Sequence, residues 1–286
     1  MASSINTNSG AAIALQTLQA TQRNLQDTQA RISTGLKVNS AKDNAATWTV
    51  ATVIRTDIAN YKQVSQNLST GSSIVGTAQA GAEQIAGLIS QIKSKVTSAQ
   101  DPANASNVDQ IQADINALTN QIDNTVKASS FNGVNMLDGS ITTQDFLSSV
   151  DKASGASTAN YISVDGYDLS TAGDMADLVG SAISDAVSAT TDQTKYGAAL
   201  GALDTALSKA TEAAAAFGTA ATQLETQKTF VDKLTDTLTT GVGALVDADM
   251  SQEAARLQAL QVQQQLGTQA LSIANQAPQS ILSLFR

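Results

Sequence analysis

The chain of 286 residues has no Cys, no His, two Pro and only ten aromatic side chains (five Phe, four Tyr, one Trp). About fourteen prolines would be ordinary at this length, and the missing Cys and His exclude disulfides, zinc fingers, two-histidine metalloprotease signatures, Cys-His pairs and Ser-His-Asp triads. Sixteen Lys+Arg against 25 Asp+Glu give a net charge of −9, which argues against nucleic acid and anionic membranes as partners.

Length alone suggests two domains. Hydrophobic residues make up 42% of the chain, but many are alanine, so a thin core of close helix contacts is expected. No apolar run approaches the roughly 18 residues of a membrane span. The run Ala11–Leu15 stops at Gln16 and has no basic start before it, so a cleavable secretory signal is not expected.

In chain order, Leu18, Leu25 and Ile32 stand seven apart, with Thr21 and Thr28 between them. They predict a first helix, with Gly35 just past its end. Asp43 reads as the N-cap of a second helix beginning near Asn44. That helix carries a stripe from Ile54 through Tyr61, Leu68, Val75, Ala82 and Ile89 to Val96, and Asp101-Pro102 stops it. A third helix shows Val108, Ile111, Ile115, Leu118, Ile122 and Val126 on one face.

Between about 130 and 192 the helical period is lost. Asn132-Gly133 and Asp165-Gly166 are hairpin signals, the second with Tyr161–Val164 and Tyr167–Leu169 as its arms. A short helix with Met175, Leu178, Ala182, Ile183 and Ala186 follows. The insert is too small for a large core and is expected to pack on the end of the bundle.

The longest stripe starts at Tyr196 and runs Leu200, Leu203, Leu207, Ala210, Ala214, Phe217, Ala221 and Leu224, past Lys228, to Val242 and Leu245. Alternating steps of four and three are the mark of a coiled-coil seam, here roughly 75 Å long at 1.5 Å per residue. The lysine stem at 228 can lie along the apolar surface. The last helix is apolar on two faces. Ala255, Ala259, Val262, Leu266, Ala270 and Ile273 line one, and Leu257, Leu260 and Leu271 the other. Such a helix is normally buried on both sides, so the second face calls for another chain. The fold class is mainly α, an elongated antiparallel helical bundle or coiled coil with a small β-hairpin-containing insert.

Candidate chemistry is sparse. Asp247-Ala248-Asp249 sits between helices, where capping and dipole compensation explain it, and Lys42-Asp43 is likewise a boundary. Gly71, Gly76, Gly81 and Gly87 form no phosphate loop; close packing of a neighbouring helix explains them. Trp48 reads as a packing anchor. The residues supply no catalytic, metal or cofactor site, and the chain reads as no enzyme. By contrast, the terminus Ile281-Leu282-Ser283-Leu284-Phe285-Arg286 is hydrophobic, which a soluble monomer would avoid exposing. Burying its four apolar side chains contributes about 8 kcal/mol as an upper bound, less the ordering entropy. The glutamine-rich remainder of that helix weighs against membrane insertion, so self-assembly is expected, favoured by salt because copies at −9 repel.

Several segments together resemble bacterial flagellins. They are Ile5-Asn6-Thr7-Asn8, the run Arg31-Ile32-Ser33-Thr34-Gly35-Leu36-Lys37-Val38-Asn39-Ser40-Ala41-Lys42-Asp43-Asn44-Ala45-Ala46, and the turn Phe131-Asn132-Gly133-Val134. The closing stretch, with Leu245-Val246-Asp247-Ala248-Asp249, Gln265-Leu266-Gly267, Ile273-Ala274-Asn275-Gln276 and Leu282-Ser283-Leu284-Phe285-Arg286, looks particularly like alphaproteobacterial flagellins.

The resemblance implies a filament subunit for swimming motility. Residues 1–42 with 246–286 would form the inner-tube coiled coil, disordered in the free monomer. Residues 43–130 with 193–245 would form the outer-tube bundle, and 131–192 a short insert. Leu18, Leu25, Ile32, Leu257, Leu260, Val262, Leu266, Leu271, Ile273, Ile281, Leu282, Leu284 and Phe285 would carry polymerisation. The chain would cross the flagellar type III apparatus unfolded, with an export chaperone, and join other copies or paralogous flagellins outside the cell, beneath a cap and above hook-filament junction proteins. The hook-filament junction protein itself is the nearest rival, and a coiled-coil secretion-needle or adhesin module fits the termini less well.

Two departures stand out. Where many flagellins carry the Leu-Gln-Arg-Val-Arg-Glu-Leu run read by Toll-like receptor 5, this chain has Ile89-Ser90-Gln91-Ile92-Lys93-Ser94-Lys95, with Gln91 for the key arginine and Lys95 for the last leucine. Asp114 retains an acid found in the family. Weak receptor recognition is therefore expected. Trp48-Thr49-Val50 also replaces a small-residue run.

Overall fold

The computed structural model describes residues 8–101, 104, 106–151, 158–173, 175–176, 183–184, 187 and 193–284, with side chains to Gln276. Its helices are α1 (Ser9–Thr34), α2 (Ala45–Ala99), α3 (Val108–Ala128), α4 (Gln193–Val246) and α5 (Met250–Leu284), and its strands are β1 (Ser130–Phe131), β2 (Val134–Asn135), β3 (Thr143–Asp151) and β4 (Thr158–Asp165). Leu178, Ala182 and Ala186, assigned to a short helix by their spacing, lie outside the described residues. Met175, Ile183 and Val187 are buried. The chain forms two compact units, residues 1–58 with 236–286 and residues 59–235. Among the described residues, no helix is long and apolar enough to cross a membrane.

In the first unit, α1 and α5 pair antiparallel. Asn8 Nδ2 donates to the Ala274 carbonyl, Leu18 lies over Gly267, and Arg31 meets Glu253. Local chemistry sets the ends. Asn8 Oδ1 accepts from Ala11 N at the start of α1, and Gly35, at φ 72°, closes its C-terminus by donating to the Arg31 carbonyl; a left-handed residue there favours glycine. Asp249 caps α5 by accepting from Ser251 N and Gln252 N. Asp43 is not the cap of α2. Asn44 Oδ1 accepts from Thr47 N in that role, while Asp43 turns back to accept from Asn39 N and Ser40 N. The loop bonds, all made to Oδ2, orient the Asp43 carboxylate away from the helix and leave Asn44 to cap it.

Around this joint the Lys37 and Val38 amides both donate to the Val246 carbonyl, and Ala248 N donates to Gly35 O. Val38, Ala51, Val242 and Val246 form a small core, with Trp48, Ile54 and Ile58 packed against it.

In the second unit, α2, α3 and α4 share one core, built from Leu68, Ile85, Ile89 and Ile92, Ile115 and Ile122, and Leu203, Phe217 and Leu224. Lys95 pairs with Asp114 and Ser65 with Asp232, so both α3 and α4 run antiparallel to α2. The seam of α4 is shifted from the sequence stripe. Leu203, Ala210, Phe217, Leu224 and Val231 are buried as expected, but their companions are Ala199, Ala206, Ala213 and Ala220. Leu200, Leu207, Ala214 and Ala221 flank the core half-buried. Small alanines at the centre let helices approach closely, which leaves the bulkier leucines to cover the sides.

The insert departs from expectation in two ways. Asn132 (φ 51°) and Gly133 (φ 81°) do make the two-residue turn between β1 and β2, the geometry that Asn-Gly suits. Asp165-Gly166, however, is no hairpin turn. β4 pairs antiparallel with the earlier β3, from Thr143 opposite Asp165 to Asp151 opposite Thr158. The chain after Gly166 instead returns to the segment following β2, where Tyr167 N donates to Met136 O and Leu169 N to Leu137 O. Gly166 is there because its missing side chain admits the Ile141 carbonyl.

Nor does the insert sit on the end of the bundle. It lies along the helices, with Phe146 against Gly71, Leu137 against Gly81, and Gln227 of α4 donating to the Ser148 carbonyl. Tyr167 meets Phe217 edge-on at 5.5 Å. Gly71 therefore makes room for the insert, and Gly81 for both the insert and Ser129 at the C-cap of α3.

Candidate functional site

The sequence places its candidate contacts on α1 and α5, and the structure divides them into two sets. Leu18, Thr21 and Thr28 are buried, and Leu25 and Ile32 half-buried, along the face of α1. On α5, Leu260 is buried and Leu257 and Leu271 half-buried. This set glues the two helices of the first unit together. Thr21 tolerates burial because its hydroxyl donates within the helix, to the Thr17 carbonyl.

The second set lies on the other side of α5. Val262 is 55%, Leu266 57% and Ile273 69% exposed, with Ala255, Ala259 and Ala270 exposed beside them. The spacing of 255, 259, 262, 266, 270 and 273 puts them in one continuous stripe. Ile281, Leu282 and Leu284 continue within the backbone of α5, but their side chains, and all of Phe285, lie outside the described residues.

Sequence reading missed further exposed apolar residues in this unit: Ile13 and Leu15 on α1, Val50 and Val53 on α2, and Leu245 and Met250 around the start of α5. The heptad stripe assigns Leu245 to the α4 seam, yet it is exposed. Val50 and Val53 stand three positions apart, a helical spacing that could have flagged them.

Charge holds the pair in register. Arg31, in the last turn of α1, lies 3.2 Å from Glu253, in the first turn of α5. Each side chain faces the helix-end charge that it complements. Glu253 is buried, and among the described residues its second oxygen, Oε2, has no hydrogen-bond partner. In the adjoining loop, hydrogen bonds from the Ser40 amide, the Ser40 hydroxyl and the Asn39 amide hold the Asp43 carboxyl below its ordinary pKa.

The positions that the resemblance pairs with the receptor-read run lie in the second unit. Gln91 is exposed on α2. Lys95 Nζ lies 2.7 Å from Asp114 Oδ2, while Gln110 Nε2 donates to Oδ1 of the same carboxylate. The Lys95 hydrogen bond, then the Gln110 one, lowers the pKa of Asp114.

The arrangement offers apolar surface and register-setting charge, which suits assembly. Comparison with known proteins agrees. The family model for the bacterial flagellin N-terminal helical region matches residues 5–142, and that for the C-terminal helical region matches residues 200–285. Flagellin FljK of Caulobacter vibrioides is 42% identical over 284 residues, covering 99% of this chain and 98% of its own. A flagellin of Brucella melitensis is 40% identical over 283 residues, covering 99% of each. Among solved structures, a protein described as flagellar hook-associated, from Vibrio parahaemolyticus, shares the fold with a TM-score of 0.57 at 11% identity, over 72% of this chain and all of that one. With relatives near 40% identity along almost its whole length, the chain belongs to the bacterial flagellin family.

Proposed function

We propose that this chain polymerises through its terminal unit into the flagellar filament. One observation carries the reading: α5 is apolar on two faces, and α1 covers one of them while Val262, Leu266 and Ile273 stand exposed on the other. Each such side chain contributes roughly 1.5–3 kcal/mol when buried, as an upper bound. A second copy presenting the same helix pair is the natural cover. The family supplies the product of that assembly, a structural filament subunit for motility. Relatives matched over nearly the full length carry the flagellin name, which supports this reading over a hook-filament junction protein.

In this proposal residues 1–42 with 246–286 form the inner tube, residues 43–130 with 193–245 the outer tube, and residues 131–192 a small insert. The chain reaches the outside of the cell unfolded through the flagellar type III apparatus, guided by an export chaperone. It joins other copies or paralogous flagellins between junction and cap proteins, and Toll-like receptor 5 recognises it weakly. It has no catalytic task. The test is negative-stain microscopy of the purified, salted protein. Long filaments are expected, and protein that forms none even when seeded with filament fragments would sink the reading.

A further inference from the structure

The chain's charge is divided unevenly between its two units. Residues 1–58 with 236–286, which bear the exposed stripe of α5, hold seven Lys/Arg and seven Asp/Glu and are net neutral. Residues 59–235 hold nine Lys and 18 Asp/Glu, so the entire −9 lies there. Within them, residues 131–192 have nine Asp against Lys152 alone, a net of −8.

Among the described residues, three of these carboxylates face no cation. Asp138, Asp145 and Asp165 are exposed and, among the described residues, accept hydrogen bonds from the hydroxyls of Ser140, Ser163 and Thr143 rather than from cations. The ion pairs Lys93–Asp204, Lys95–Asp114 and Lys228–Asp232 join helices or lie within one, away from these three carboxylates.

We propose that residues 131–192 are an electrostatic brake on self-assembly, opposing the docking of a second copy that the neutral, apolar terminal unit favours. The proposal rests on the polymerisation reading above. Apolar burial is not screened by salt, whereas repulsion between like-charged surfaces is. The Debye length shortens from about 30 Å at 0.01 M to about 8 Å at 0.15 M. Salt therefore releases the brake without touching the adhesive stripe.

The test uses the full chain. The critical concentration for polymerisation is measured by sedimentation between about 10 and 300 mM NaCl, a range across which screening changes most. It compares the natural protein with Asp138→Asn/Asp145→Asn/Asp165→Asn. Asparagine keeps an oxygen for each Ser or Thr donor, so the strands should hold, and circular dichroism checks this. Repulsion scales with the product of the charges, so reducing −9 to −6 should shrink the salt-driven change in log critical concentration to about half. Thr142→Lys/Ala159→Lys at exposed positions is a second variant that leaves every carboxylate in place. It should shrink the change to about 60%.

A reduced salt slope in either folded variant supports the brake. If the natural protein polymerises and both variants keep its slope, the brake is overturned alone. Natural protein that stays monomeric at every salt concentration overturns the polymerisation reading and the brake with it.

Discussion

The ring of Phe146 on β3 occupies the space that a β-carbon on Gly71 of α2 would need, since that carbon would lie 2.6 Å from Phe146 Cδ1. Gly81 is similarly closed by Leu137 and Ser129, whereas Gly76 and Gly87 of the same helix meet nothing within 4 Å among the described residues. The four glycines should therefore respond to alanine with opposite signs. Gly71→Ala and Gly81→Ala overpack the contact, at a cost of about 1–3 kcal/mol, and recover no more than about 1 kcal/mol of helix propensity. Gly76→Ala and Gly87→Ala gain up to about 1 kcal/mol each from propensity alone. Urea unfolding followed by circular dichroism separates the pairs. Stabilisation at all four positions would show that the insert does not press on α2.

These glycines also mark the limit of what the sequence discloses. The stripes on α2 and α3, the Gly35 stop and the Asn132-Gly133 turn were legible because each follows from residues within a turn or two of one another. The partner of β4 was not. A local Asp-Gly signal pointed forward, while the ladder to β3 and the bonds from Tyr167 and Leu169 depend on segments much earlier in the chain. The reassignment from Asp43 to Asn44 has the same origin, because both residues suit an N-cap and loop hydrogen bonds decide between them. At the candidate site, the two-sidedness of α5 was readable from spacing alone. Which face α1 covers was not, since Leu260 and Leu266 are identical side chains with opposite burial.

That division yields a second prediction. Val262→Ser/Leu266→Ser/Ile273→Ser removes apolar surface that the monomer leaves exposed, so monomer stability should stay within about 0.5 kcal/mol per site while polymerisation is lost. Removing residues 281–286 is expected to leave the second unit folded and likewise abolish polymerisation. Leu260→Ala differs, because Leu260 is buried within the first unit; it should destabilise that unit by about 2–5 kcal/mol. Sedimentation reads assembly and thermal circular dichroism reads folding. Filaments of normal length from the triple variant would remove α5 from the interface.

A third prediction concerns acid. Asp232 of α4 accepts a hydrogen bond from Ser65 of α2 at 2.6 Å and pairs with Lys228 at 3.0 Å. The Ser65 bond first, then Lys228, holds its carboxyl below the ordinary 3.8. A depressed carboxyl pKa in the folded state adds stability that is present above the unfolded value and lost as pH falls through the folded one. The contribution should therefore be constant down to about pH 4 and vanish below it. Asp232→Asn keeps an acceptor for Ser65 but no charge. It should be less stable than the natural protein at neutral pH and converge with it at about pH 2. Urea midpoints at the two pH values check this, and a constant difference would assign the effect to packing.

The last prediction turns on Lys95 and Asp114. In flagellins that activate Toll-like receptor 5, the resemblance places an arginine where this chain has Gln91 and a leucine where it has Lys95. The structure adds that Lys95 is drawn onto Asp114 at 2.7 Å, so the retained acid is engaged within the chain. Both side chains are more than a third exposed, at 45% and 37%, and water screens such a pair so that it contributes little to stability. Gln91→Arg/Lys95→Leu should consequently fold normally while freeing Asp114 and restoring the receptor-facing side chains. Monomeric natural protein at nanomolar concentration is expected to leave receptor-reporter cells silent, and the double variant to activate them. A response to the natural protein at that concentration refutes weak recognition. Silence from the folded double variant would show that Gln91 and Lys95 are not what withholds it.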